Sequence, residues 1–279
     1  MDDKDYLRVG THYDSVTDVW RYVMGENLHY GYFEPEDIEL DDATDNLIDR
    51  LAALAEMEES TSVLDVGCGV GQPAFHLHEK FGCTITGITL SPRGVEIAGK
   101  KCAEKGYSDK VTFHEADALD NGLPSNHFDI AWVMESSHLM RDKKRLFEEN
   151  FRVLKNGGSM LLCDLMLRRE LTPRDLFSYR NEFTILEKTF GKAKMATLEF
   201  YNDKMKERGF SEVEVYDVSR QAQPTLERWK GNLLLHEDRI VEAGGRQYAD
   251  AFLLACDITK GFFEQGLFGY GMAKGVKRR

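Results

Sequence analysis

Several things are missing from this chain, and each absence excludes a class. No apolar run reaches the about 18 residues that a membrane helix needs, so no segment is expected to span a bilayer. The first residues, Met1-Asp2-Asp3-Lys4-Asp5, are acidic and lead into no apolar stretch, so no secretory signal is expected. Proline is sparse, 6 in 279 residues, and the 24 glycines follow no period. That excludes a collagen-like or disordered chain. The 5 cysteines are odd in number and contain no C-x-x-C pair. They read as buried or half-buried free thiols of a reducing cytoplasm. Basic charge is in deficit: 36 Lys+Arg face 48 Asp+Glu, a net charge of -12. Such a chain repels a phosphate backbone, so nucleic acid is not an expected partner. The histidines lack metal-ligand spacing. His76 and His78 stand two apart on a helix and face apart, and His114 and Glu115 alternate across a strand. No metal is expected.

What is present is ordinary globular composition, 42% apolar and 30% charged. At 279 residues the chain reaches the upper end of what one core can serve, which predicts one domain with insertions. Leu47, Ile48, Leu51, Leu54 and Ala55 recur on one face of a helix over 43–57, which Asp41 or Asp42 can cap. An apolar strand at 62–66, a glycine loop at 67–71 and Pro73 at a first helical turn come next. After a strand at 84–89, Ser91-Pro92 starts a helix that Gly106 ends. Strands at 111–115 and 128–134 precede an amphipathic helix at 143–154, the turn Lys155-Asn156-Gly157-Gly158 and a strand at 160–163. This alternation, with strands apolar almost throughout, predicts an α/β parallel sheet covered on both faces. Beyond Asp164 the order loosens. It returns in a helix ending at Gly209 and a strand at 213–218, and a last strand spans 267–276. The expected division is an N-terminal helical lid over 1–42 and a core over 43–279, with helical insertions at about 165–195 and 224–265. Insertions after strands in such sheets sit over the ligand crevice.

The strongest motif is VLDVGCGVGQPA, residues 63–74. A buried strand and an acidic residue lead into glycines at every second position. Glycine there permits a tight turn and close approach of a ligand to the backbone. The third glycine comes one residue too early for the dinucleotide pattern G-x-G-x-x-G, which argues against a nicotinamide enzyme. The Gly-Lys-Ser/Thr of a phosphate loop is absent.

Residues 63–74 resemble motif I of the class I S-adenosylmethionine-dependent methyltransferases, and three further stretches extend the resemblance. FHEADA at 113–118 looks like the end of their third strand. FDIAW at 128–132 looks like their motif II, and RVLKNGG at 152–158 like their RVLKPGG turn, with Asn156 in place of proline. WRYVMGENLHYGYF at 20–33 looks like the segment before the core in tocopherol and natural-product sugar O-methyltransferases. The resemblance implies a Rossmann-like, seven-stranded, mostly parallel sheet with helices on both faces and helical lid insertions. It implies S-adenosylmethionine as cofactor, with S-adenosylhomocysteine as product. Asp65, Gly67, Gly69, Gly71 and Gln72 are implied around its methionine and ribose, and Asp117 with the Ala118 backbone at its adenine. The stretch GITLS at 87–91 lacks the ribose-gripping acid of many members, which leaves the backbone of Thr89 and Leu90. Relatives with that stretch often carry a glutamine where Gly94 stands.

The acceptor residues follow from the same comparison. ESSHLM at 135–140 is similar to an ES-x-HH-M stretch whose histidine acts as base. His138 matches the first histidine, Leu139 replaces the second, and Asp164 matches an assisting acid. Glu135 either contacts the cofactor or orders the loop. Tyr13, Tyr32, Phe190 and Tyr201 belong to an aromatic set that suits a large apolar acceptor, and Trp20, His29, Tyr30, Phe177, Tyr179 and Phe183 are taken as its pocket. Trp229 reads as a packing residue. The expected reaction is methyl transfer to a small hydrophobic or glycosylated metabolite, at oxygen first. Carbon on a prenyl or aromatic acceptor, nitrogen, and a fold repurposed as a cyclase stay open. Monomer and homo-oligomer are both compatible.

Overall fold

The computed structural model describes residues 19–278, so residues 1–18 of the expected lid segment, Tyr13 among them, lie outside the described residues. Residues 19–24 are helical (α1). The helix expected over 43–57 runs instead over Leu40–Ala52 (α2), with Glu39 at the N-cap. Asp41 and Asp42 fall inside the first turn, where their charge suits the helix dipole rather than capping it. The alternation then follows as β1 (Ser62–Val66), α3 (Gln72–Phe81), β2 (Thr84–Thr89), α4 (Pro92–Lys105), β3 (Val111–Glu115) and β4 (Phe128–Met134). The Ser91 hydroxyl caps α4 by accepting from the Gly94 amide at 2.8 Å, and Gly106 ends it at φ 75°. A 3₁₀ turn (Ser137–Leu139), α5 (Lys143–Val153) and β5 (Leu154–Leu167) follow.

β5 starts earlier than the sequence suggests. Leu154 pairs with Phe128 and Ser159 with Ile130, so the RVLKNGG turn is an irregularity inside one long strand. Gly157, at φ 87°, carries the chain around it. The second half holds α6 (Pro173–Ser178), α7 (Arg180–Phe190), α8 (Leu198–Arg208) and β6 (Phe210–Asp217). It continues with α9 (Ser219–Ala222), α10 (Thr225–Leu235), α11 (Glu237–Gly244), α12 (Arg246–Glu264) and β7 (Phe268–Lys277). The seven strands lie in the order β3-β2-β1-β4-β5-β7-β6. All pairings are parallel except those of β7, which runs antiparallel to both neighbours.

Strand alternation splits the core in two. Val63, Ile130, Trp132 and Leu161 face one cluster with Leu47 and Leu51 of α2, Phe75 of α3, and Trp229 and Phe252 of the late helices. Leu64, Ala131, Val133 and Leu162 face the other, with Leu146 and Phe147 of α5 and Tyr201 and Met205 of α8. Burying each large apolar side chain contributes roughly 1.5–3 kcal/mol, so both faces hold the sheet rigid beneath its carboxyl edge. All five cysteines are free and buried. Among the described residues no helix is long and apolar enough to cross a membrane.

Candidate active site

The carboxyl ends of β1, β2 and β4 converge on one cavity, and the glycine loop forms its floor. Gly67 turns the chain at φ 85°, and a Cβ there would lie 2.4 Å from Cβ of Ser136. Its amide and that of Cys68 both donate to the Ile88 carbonyl, at 2.8 and 2.9 Å, which fastens the loop to β2. Gly69, at φ 53°, has nothing within 4 Å of its Cβ position, so it leaves room for a ligand. Gly71 is different. Its Cβ would strike the Phe113 ring at 2.7 Å, and it does not line the cavity. It serves the packing of α3 against β3. Gly94 also has a local cause: a Cβ would meet the Gly69 carbonyl at 2.7 Å, so a side chain there would displace the loop.

Beneath the loop Asp65 is 2% exposed and its Oδ2 has no partner. Burial alone pushes its pKa up to about 7. A buried carboxylate without a donor is costly, and a cationic or N–H-bearing ligand above it would remove the cost. Gly67, Gly69, Gln72, Thr89, Leu90 and Ala118 line the cavity as expected, with Cys68, Ser91, Gly94 and Ile97, which the sequence pattern does not place there; Asp65 lies behind the loop and not on the wall. Asp117 is not on the wall; one of its oxygens accepts from the Leu119 amide at 2.7 Å, and Ala116 and Ala118 face the space instead.

The opposite end is built around β4 and β5. Glu135 lines the cavity with a positive φ of 46°. Its Oε1 accepts from the Tyr30 amide at 2.8 Å and from the Tyr270 hydroxyl at 2.6 Å. It therefore straps segment 29–30 across the sheet edge. Burial raises its pKa to about 7 against the pull of those hydrogen bonds. One turn further, His138 Nδ1 stands 2.6 Å from Asp164 Oδ1. Asp164 is fully buried and also accepts from the amides of His138 and Leu165, each at 2.8 Å, and from the Ser137 hydroxyl at 2.5 Å. Burial opposes both charges, but the pairing wins: the His138 pKa is raised and that of Asp164 lowered. An ionised Asp164 can only accept. Ser137 must then donate to it, and Tyr201, 2.6 Å from the Ser137 hydroxyl, must donate to Ser137. The same logic puts the proton of a neutral His138 on Nδ1, leaving Nε2 as the acceptor.

The rest of the cavity wall is largely apolar. Trp20, His29 and Tyr30 line it as expected. Burial lowers the His29 pKa to about 4, so its imidazole is neutral, and its Nδ1 has no partner. Phe177, Tyr179 and Phe183 do not line it. Phe177 is 72% exposed on α6, and Tyr179 and Phe183 pack against Phe262. The wall comes instead from the far end of the same insertion, Leu186, Phe190 and Met195, and from Trp229 and Phe268. Trp229 thus both packs and lines, and its buried Nε1 has no partner. These residues have no shared sequence signal; helical periodicity does not tell which aromatic of an insertion turns inward. Among the described residues no cluster of His, Cys, Asp or Glu could hold a metal ion. His76 is held instead by Asp49 at 2.8 Å.

A glycine loop under the carboxyl edge of this seven-stranded sheet, with its last strand reversed, defines a class I S-adenosylmethionine-dependent methyltransferase. The family described as mycolic acid cyclopropane synthetase matches residues 2–269, and the chain belongs to it. It is 32% identical to the 27-O-demethylrifamycin SV methyltransferase of Amycolatopsis mediterranei (strain S699), over 80% of this chain and 82% of that protein. It is 29% identical to the chloroplastic tocopherol O-methyltransferase of Arabidopsis thaliana, over 78% of this chain and 69% of that one. The crystal structure of the [4+2]-cyclase SpnF superposes with a TM-score of 0.83 at 28% identity, covering 98% of this chain and 96% of that one.

Proposed function

We propose that this methyltransferase acts on an oxygen of a small hydrophobic or glycosylated acceptor, with His138 as general base and Asp164 as its orienting partner. The observation that carries the reading is the 2.6 Å contact between His138 Nδ1 and Asp164 Oδ1 on the wall of an apolar cavity. When bound, S-adenosylmethionine supplies a methyl group already activated by its sulfonium. Gly67, Gly69 and Gln72 would hold its amino-acid and ribose portion over Asp65, and Thr89, Leu90 and Ala118 its nucleoside. The unpartnered Asp65 oxygen and the open space at Gly69 fit that ligand. The chain's remaining task is to bring the acceptor oxygen into line and keep water away. Trp20, Tyr30, Phe190 and Trp229 serve that enclosure. Neutral His138 takes the hydroxyl proton at Nε2 as the oxygen attacks, and Asp164 holds the ring and stabilises the imidazolium formed.

Oxygen as the target is supported by relatives named as a 27-O-demethylrifamycin SV and a tocopherol O-methyltransferase. A second reading, cyclisation without methyl transfer, draws on the likeness to SpnF along nearly the whole chain. The test is methyl uptake from labelled S-adenosylmethionine by a panel of phenols, macrocyclic alcohols and glycosides. Uptake that disappears in His138→Ala while S-adenosylhomocysteine still binds supports the base. Cofactor binding with ring closure of a polyene and no uptake would move the assignment to a cyclase.

A further inference from the structure

We propose that Lys143 is a positioning residue for the base: its ammonium group pins the turn carrying His138 to the cavity wall and sets a positive charge against the carboxylates around the imidazole. The proposal rests on His138 acting as the base. Lys143 opens α5 and is 4% exposed. A cation at a helix start opposes the dipole, and a buried ammonium is costly. No carboxylate lies within ion-pairing distance of it among the described residues. Its three protons instead reach three carbonyls: Ser137 and Met140 at 3.0 Å and Lys194 at 2.6 Å. Ser137 and Met140 bracket His138. Lys194 lies between Ala193 and Met195, both on the cavity wall, and its amide donates to the His138 carbonyl at 2.7 Å. The base and the wall that shapes the acceptor are thus fastened to each other twice.

The charge has a second effect. Burial disfavours a protonated His138, Asp164 from β5 and Glu135 from the end of β4 favour it, and Lys143 is the one cation that works against those two carboxylates. Tyr201 of α8 reaches Asp164 only through the Ser137 hydroxyl, and Tyr270 of β7 meets Glu135 through its own. The Lys194 ammonium lies on the Arg141 carbonyl. Burial lowers the Lys143 pKa to about 8, so the group is still charged at pH 7. Without that cation the two acidic groups would shift His138 further toward its protonated form, which cannot accept a proton.

The experiment follows the His138 imidazole by NMR titration in the S-adenosylhomocysteine complex, with His138→Asn assigning the signal. In Lys143→Met the His138 pKa should rise by several tenths of a unit or more, and the acid limb of kcat should move with it. In Lys143→Arg, which keeps the charge, both should stay near the parent. An unmoved imidazole in Lys143→Met overturns the proposal. An equal rise in the Met and Arg variants overturns it too, since turn geometry and not charge would then be responsible. Should Lys143→Met fail to fold, Lys143→Gln, whose amide still serves two carbonyls, gives the same reading. A base assignment that is itself wrong shows separately, as a loss in His138→Ala below about fivefold.

Discussion

The two ends of the cavity are built on opposite plans. At the cofactor end, Gly67, Cys68, Gly69 and Gln72 lie within one strand-loop-helix unit, and each glycine has a local reason. At the end proposed for the acceptor, His29 and Tyr30, His138, Leu186 and Phe190, Trp229 and Phe268 come from five separate stretches. They meet only because Glu135 straps segment 29–30 to the sheet and the late helices fold back over it. The first plan yields one fixed ligand geometry. The second lets the wall change without disturbing the loop, which is how one fold can serve chemically different acceptors.

The largest expected effect separates the two ends at the chemistry. His138→Ala should lower turnover on the order of 10²-fold or more while S-adenosylhomocysteine affinity, read by calorimetry, stays within a few-fold. Next, Asp65→Asn should do the reverse, weakening S-adenosylhomocysteine by about 10- to 100-fold, the range of one charge-assisted hydrogen bond. The same carboxyl makes affinity depend on pH. Its free-state pKa is about 7, and a cationic ligand prefers the ionised form, so binding should tighten as pH rises toward 7, releasing a proton below that pH, and level off above it. The ligand-free protein should move oppositely. Asp65 and Glu135, both raised, contribute stability that is fully present at or below the unfolded carboxyl range and is lost as pH climbs through about 7, a loss that thermal melts across neutral pH with and without ligand can follow.

Smaller effects sharpen the boundary between the ends. Tyr201→Phe removes the donor to Ser137 and should cost about 1 kcal/mol of stability with a few-fold loss of turnover. Phe190→Ala should raise the acceptor KM and leave cofactor affinity unchanged. Phe177→Ala should change neither stability, beyond about 0.5 kcal/mol, nor KM, because its ring faces solvent. A Phe177 variant as damaging as the Phe190 variant would redraw the acceptor wall.

The sheet order and the glycine loop were legible because they rest on short-range patterns: apolar strands alternating with helices, and glycines where a Cβ would collide. His138 and Asp164 were legible as a pair through the family resemblance, which places them after the fourth strand and on the fifth, although nothing local says that Asp164 accepts four hydrogen bonds. The misplacements share one cause. Phe177 and Phe190 belong to the same insertion, and the two are equally aromatic. Which of them turns inward depends on how α7 seats on α12 and β7. Trp229 reads as a packing residue from sequence because nothing along the chain reveals that it borders a cavity.

The strand-loop-helix unit at Asp65–Gly71, the alternation that makes the sheet, and the residue types able to act at its carboxyl edge are all written in short stretches of chain. Those follow from backbone sterics and period, which act over a few residues. Long-range packing is what makes Glu135 fasten the N-terminal segment, lines up Tyr201, Ser137 and Asp164 behind His138, and buries Lys143 among three carbonyls. Each of these depends on side chains brought within 3 Å from distant segments, and a hydrogen bond has direction and reach that no spacing along the chain encodes.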